Sequence, residues 1–92
     1  MAVTVLIPTP LQRLTSGVGE AMVSGSTVGE IIGDLDRQYP GVRDRLCNPE
    51  TGRLRRFANV YLNSEDIRHL QNEETLVKDG DELSIVPAVA GG

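Results

Sequence analysis

The sequence has little of what a chain needs to do chemistry on its own. Its 92 residues include one cysteine, one histidine and no tryptophan, and only 3% are aromatic. The single thiol, Cys47, excludes an internal disulfide framework and a multi-cysteine zinc site. The single imidazole, His69, removes any histidine-rich cluster, so no metal site is expected. Tyr39, Phe57 and Tyr61 are too few to build a base-stacking platform. A net charge of −4 disfavours general phosphate binding, so no nucleic-acid partner is expected. No apolar run approaches the ~18–20 residues of a membrane span. The opening residues lack the basic segment of an export signal. Neither membrane nor secretion is therefore expected, and a reducing cytoplasm is the simplest compartment for a lone thiol.

What is present is an ordinary globular composition, with 39% hydrophobic and 24% charged residues. The length suits one domain with a small core. Charge is uneven. Arg43, Arg45, Arg53, Arg55 and Arg56 crowd one stretch, whereas Arg68 and Lys78 alone oppose seven acidic residues from Ala58 onward. Two solvated faces explain this, and so does an acidic half that docks a basic surface.

Val3, Thr4, Val5, Leu6 and Ile7 are β-branched or apolar and read as a central strand that Pro8 ends. Residues 10–19 read as a loop and 20–24 as a second strand, antiparallel to the first. Thr27 followed three residues later by Glu30 is a capping box that opens a helix. Val28, Ile31, Ile32, Leu35 and Tyr39 fall on one helical face, and Pro40-Gly41 stops it. Gly29 and Gly33 weaken the helix and are expected to let the sheet approach closely. Residues 42–47 predict a helical turn, 48–52 a turn, 58–62 a strand and 63–66 another turn. Residues 67–70 have no clear pattern, and 75–77 predict a short edge strand. Asp79-Gly80 carries a hairpin signal before a final strand at 82–86. The expected fold is α+β, a mixed sheet of four to five strands with one main helix on one face. The expected division is a domain at 1–86 and a tail at 87–92.

That tail, Pro87-Ala88-Val89-Ala90-Gly91-Gly92, has no charge and no large side chain. Pro87 stiffens its exit, and Ala88, Val89 and Ala90 are slim enough to thread a narrow channel. Gly91 and Gly92 lack a Cβ, so a partner's groups can close around the last carboxylate. A carboxylate is a poor acyl donor. Adenylation by ATP gives it AMP as a leaving group, and a persulfide or sulfide can then attack Gly92 to leave a thiocarboxylate. This chemistry asks for no triad, metal or bound cofactor in the chain itself; ATP is used by the enzyme that activates it.

The opening Val3-Thr4-Val5, Thr27-Val28-Gly29-Glu30, Asn59-Val60-Tyr61-Leu62-Asn63, Asp79-Gly80-Asp81-Glu82-Leu83 and the Gly-Gly ending follow one another along the chain. In that order they resemble the MoaD/ThiS family of ubiquitin-like, β-grasp sulfur carriers. Residues 52–57 and the Pro-Ala-Val-Ala-Gly-Gly tail are most similar to the CysO type, which feeds sulfur to a cysteine synthase. The resemblance implies a protein cosubstrate rather than an enzyme. It implies a MoeB/ThiF-type activating enzyme acting on Gly92 and a sulfur-accepting enzyme, either cysteine synthase-like or the molybdopterin synthase large subunit. For the CysO type it adds a metalloprotease that releases a cysteine adduct. Gly91 and Gly92 are the implied working residues, with Pro87, Ala88, Val89 and Ala90 as the threaded stem. A molybdopterin synthase small subunit, a thiamin thiazole sulfur carrier and a ubiquitin-like modifier that forms isopeptide bonds remain as alternatives.

Other candidates read more plainly. Cys47 has no basic neighbour by pattern to activate it and is expected to be a structural thiol. His69 stands alone and is expected at the surface. The Asp79-Gly80-Asp81-Glu82 run lacks the ligand spacing of a calcium loop. Arg53, Arg55 and Arg56 suit a solvated loop or an acidic partner groove. Phe57 and Tyr61 suit either the core or a docking patch.

Overall fold

The computed structural model describes residues 2–55 and 58–87. Strands β1 (Ala2–Leu6) and β2 (Glu20–Ser24) precede helices α1 (Val28–Gln38) and α2 (Val42–Leu46). Strands β3 (Ala58–Leu62), β4 (Glu65–Asp66) and β5 (Glu82–Pro87) follow, with 3-10 turns at Thr9–Leu11, Ile67–His69 and Asn72–Glu74. The five strands form one sheet in the order β2-β1-β5-β3-β4. β1 and β5 are parallel, and the other pairs are antiparallel. This is the mixed sheet of the expected β-grasp fold, and β1 is central, as its apolar composition suggested.

The core lies between α1 and one face of the sheet. Burial alternates along each long strand, so Val3, Val5, Ala21, Val23, Val60, Leu83 and Ile85 turn inward. Val28, Ile31, Ile32 and Leu35 meet them from the helix, all buried. Each such side chain stabilises the fold by roughly 1.5–3 kcal/mol, which is what fixes α1 across the sheet. Tyr39, also expected on that face, caps the helix C-terminus and is half-buried against the core.

The helix start departs from the expected capping box in one detail. Glu30 N–H donates to Thr27 Oγ1 at 3.1 Å, as the pattern requires. The Glu30 carboxylate instead accepts from Ser26 N–H at 2.8 Å, one residue before the cap. An isolated antiparallel bridge joins Thr27 to Leu76 there, and Val28 N–H donates to Thr75 O at 2.9 Å.

Three expectations are corrected. Residues 75–77 form no edge strand; they make that single bridge to the cap of α1 and bury Thr75 and Val77. With no strand before it, Asp79-Gly80 is not a hairpin. Its turn, with Gly80 at φ 90°, delivers β5 into parallel register beside β1, and Gly80 N–H donates to Ala2 O at 2.9 Å. The close approach at Gly29 is not to the sheet: a Cβ there would lie 3.2 Å from Glu73 O of the Asn72–Glu74 turn, and Gly33 faces open space. The turn expected at 63–66 is tighter than foreseen. Asn63 and Ser64 both have positive φ and form a two-residue reversal, so Glu65 and Asp66 pair back on Leu62 and Tyr61 as β4.

Two outcomes follow. Leu35→Ala removes a fully buried side chain and is expected to cost about 2–5 kcal/mol in urea denaturation. Asp81 accepts from Asn63 Nδ2 and from Lys78 N–H, and these bonds, led by Asn63, hold its carboxyl below the usual 3.8. Its folded pKa is depressed, so its stabilisation is present above pH 3.8 and is lost as pH falls through the folded value. The gap in Tm between the wild type and Asp81→Asn is therefore expected to close on acidification below that point.

Candidate functional site

β5 carries the chain toward the tail. It is bonded on both sides, to β1 through Thr4↔Glu82, Val5↔Leu83 and Leu6↔Ser84, and to β3 from Leu62↔Leu83 to Ala58↔Pro87. Leu83 and Ile85 are buried beneath α1, which pins its register, because a one-residue slip would turn both onto the opposite face. β1 reaches only residues 82–84, so at its exit β5 is paired to β3 alone, as far as Ala58↔Pro87. Ala88, Val89, Ala90, Gly91 and Gly92, the residues expected to do the work, lie outside the described residues, as do Arg56 and Phe57.

Among the described residues, no helix covers the face of the sheet away from α1. Register places Leu6, Ser84 and Tyr61 in one row, Met22, Thr4 and Glu82 in the next, and Val86 beside Asn59. Met22 is 60% exposed and Val86 45% exposed. Tyr61 is half-buried on this face rather than in the core beneath α1. A strand-built surface of mixed character, with Met22 and Val86 exposed among Thr4, Glu82, Ser84 and Asn59, therefore runs to the last strand.

The segment entering β3 is held by one side chain. Arg68 Nη1 donates to Asn59 Oδ1 at 2.8 Å, and Nη2 donates to Ala58 O at 2.8 Å and Arg55 O at 3.0 Å. Leu54 N–H donates to the Glu73 carboxylate at 2.7 Å, and Arg55 N–H donates to Leu46 O at 2.8 Å. Arg68 was legible in the sequence only as a counter-charge in an acidic half. Its acceptors lie 9 to 13 residues away, with no local pattern to announce them.

The remaining candidates separate. Cys47 is 3% exposed and bridges Leu54 at the end of α2. Burial pushes its thiol up, and Glu73 adds to the shift against Arg43 and Arg55, so it is a poor thiolate. His69 is exposed at the end of its 3-10 turn. Asp79 and Asp81 spend their carboxylates on turn bonds, Asp79 to Ala2 N–H at 2.9 Å. Among the described residues no group of three or more His, Cys, Asp or Glu side chains could hold a metal ion. Among them, too, no helix is long and apolar enough to cross a membrane. Arg53 is exposed and Arg55 is half-buried.

Residues 5–92 match the ThiS family. The chain belongs to the ThiS family. Sulfur carrier protein CysO of Mycobacterium tuberculosis is 46% identical over 93 aligned residues that cover 100% of both chains. The crystal structure of the Amycolatopsis orientalis BexX/CysO complex contains a chain 49% identical to this one, with a TM-score of 0.92 and coverage of 99% and 100%. The solution structure of small archaeal modifier protein 1 from Methanosarcina acetivorans is 31% identical, with a TM-score of 0.86 and coverage of 99% and 96%. This ThiS-family member therefore has the ubiquitin-like β-grasp fold, and the similarity extends through its last strand.

The burial of Cys47 sets a clear expectation. At neutral pH the thiol of the folded ThiS-family protein should react with a disulfide reagent such as DTNB far more slowly than the same thiol in urea. Equal rates would overturn its structural assignment.

Proposed function

We propose that this protein is a sulfur carrier for cysteine synthesis, a cosubstrate whose working group is the carboxylate of Gly92. The observation that carries this reading is the 46% identity to sulfur carrier protein CysO across both full lengths. The geometry supports it. A strand paired on both sides at 82–84 and to β3 as far as its last residue gives the tail its point of departure, and the exposed Met22 and Val86 on the sheet face offer area for a partner.

The chemistry proceeds in two displacements. The Gly92 carboxylate attacks the α-phosphorus of ATP in a MoeB/ThiF-type enzyme, forming an acyl adenylate and releasing pyrophosphate. Hydrosulfide then attacks the acyl carbon, AMP leaves with the C–O electron pair, and a thiocarboxylate remains. In the second enzyme, cysteine synthase-like, this sulfur attacks the β-carbon of an activated serine and displaces its leaving group, giving a thioester that the amino acid's own amine converts to an amide by S-to-N acyl transfer. A metalloprotease then hydrolyses that amide with water, which frees cysteine and regenerates the Gly92 carboxylate. The carrier supplies recognition and reach, while its partners supply water exclusion and charge stabilisation. Pro87 ends β5 in register with Ala58, so Ala88, Val89 and Ala90 form the threaded stem, Gly91 gives clearance, and the cytoplasm is the proposed compartment.

A second reading, a protein modifier, is favoured by the likeness to small archaeal modifier protein 1. The adenylation step is common to both, and the fate of the acyl group differs.

Intact-mass spectrometry separates them. With ATP, sulfide and the activating enzyme, a carrier gains the mass difference between one sulfur and one oxygen. A modifier instead appears as branched conjugates on lysine. Adding one residue after Gly92 should abolish adenylation with Tm unchanged, because the reacting carboxylate moves off the site. Adenylation that survives the extension sinks the proposal.

A further inference from the structure

Three arginines far apart in sequence line one groove of about 420 Å³. Arg13 follows the Thr9–Leu11 turn, Arg45 lies on α2, and Arg55 lies in the segment that enters β3. Leu11 and Ala58 supply apolar lining, and Asp44 is the one carboxylate set against three guanidiniums. Among the described residues the one ion pair is Arg37–Asp34, which involves none of the three arginines. They form a local basic cluster in a chain of net charge −4. Arg55 is bonded at three points: its Nε donates to Asp44 O at 3.0 Å, its N–H to Leu46 O at 2.8 Å, and its carbonyl accepts from Arg68 at 3.0 Å. The groove also lies at the root of the tail, because Ala58 in its lining is the register partner of Pro87.

We propose that this groove docks an acidic peptide segment of the enzyme that receives the tail, an inference that rests on the carrier reading above. Guanidinium forks match carboxylates in paired hydrogen bonds, which lysines would not do as well. The apolar lining takes an aliphatic side chain between the acids. The net negative charge of the chain repels long polyanions, so a short acidic segment suits the site better than a nucleic acid. A contact here, beside the departure point of the tail, sets the direction of threading. It also raises the rate of encounter more than it tightens the final complex.

The probe is the end-blocked peptide Glu-Glu-Leu-Glu-Glu, titrated into nitrogen-15-labelled protein at low salt. The expected result is movement of the Arg13, Arg45 and Arg55 Nε–H signals, with apparent affinity falling roughly tenfold in Arg13→Glu/Arg45→Glu. Both substituted side chains are exposed, and an unchanged Tm checks the fold of that variant. Absence of movement overturns the proposal, and so does movement centred on Arg37 or Arg53. Inorganic phosphate moving the same signals at lower concentration than the peptide also overturns it. Protein lacking Gly91 and Gly92 should bind the peptide unchanged, which separates docking from tail chemistry. In the adenylation assay the double variant should raise KM roughly tenfold at low salt with kcat held, the difference shrinking as salt screens it. An unchanged KM overturns the docking role and leaves the carrier reading standing.

Discussion

The constraint on which the rest depends is the double pairing of β5. A strand at the edge of a sheet is held on one side and can peel or slip; β5 is held by β1 on one side and β3 on the other. Its buried Leu83 and Ile85 add a second lock, because they fit the core in one register only. Parallel pairing to β1 requires a crossover, and residues between β1 and β5 supply it by way of α1 and the packed 3-10 turns. The helix therefore does two things at once. It closes the hydrophobic core, and it belongs to the long connection that lets the last strand lie in the middle of the sheet.

Around that strand the polar groups are closely accounted for. Among the described residues no buried side-chain nitrogen or oxygen lacks a partner. Thr15, fully buried, donates its hydroxyl toward Val18 O at 2.8 Å. Arg68 binds three acceptors around the entry to β3, and Glu73 ties down Leu54 from the opposite direction. A small domain has a small core, and such bonds supply the order that extra apolar burial would give in a larger one.

The scarcity of chemical groups in the chain agrees with a cosubstrate. Its one thiol is sealed in the core and held protonated, which keeps a competing sulfur nucleophile away from a sulfur-transfer step. The bonds that break and form in the proposed cycle belong to the tail and to its partners. In that cycle the folded body contributes address: a sheet face with Met22 and Val86 exposed, a basic groove and the last strand from which the tail departs.

The helix, its cap and the two N-terminal strands were legible because their signals are local. Thr27 and Glu30, the spacing of Val28, Ile31, Ile32 and Leu35, and Pro40-Gly41 act within one or two turns of chain. The reading of Gly91 and Gly92 rests on residue type alone, because steric access is a property of the residues themselves, and they lie outside the described residues. Asp79-Gly80 misled for the opposite reason: a turn dipeptide states that the chain reverses, and only the sheet decides which strand waits on the other side. The Arg68 clamp and the meeting of Arg13, Arg45 and Arg55 were equally invisible, since each joins residues that no short-range pattern connects. The sequence by itself determined α1 with its cap, strands β1 and β2 and the small, uncharged composition of the tail. The tertiary structure alone decided that β5 is central, which face of the sheet stays open and where the basic groove lies. Those outcomes depend on long-range packing and pairing, which bring together residues that the chain keeps apart.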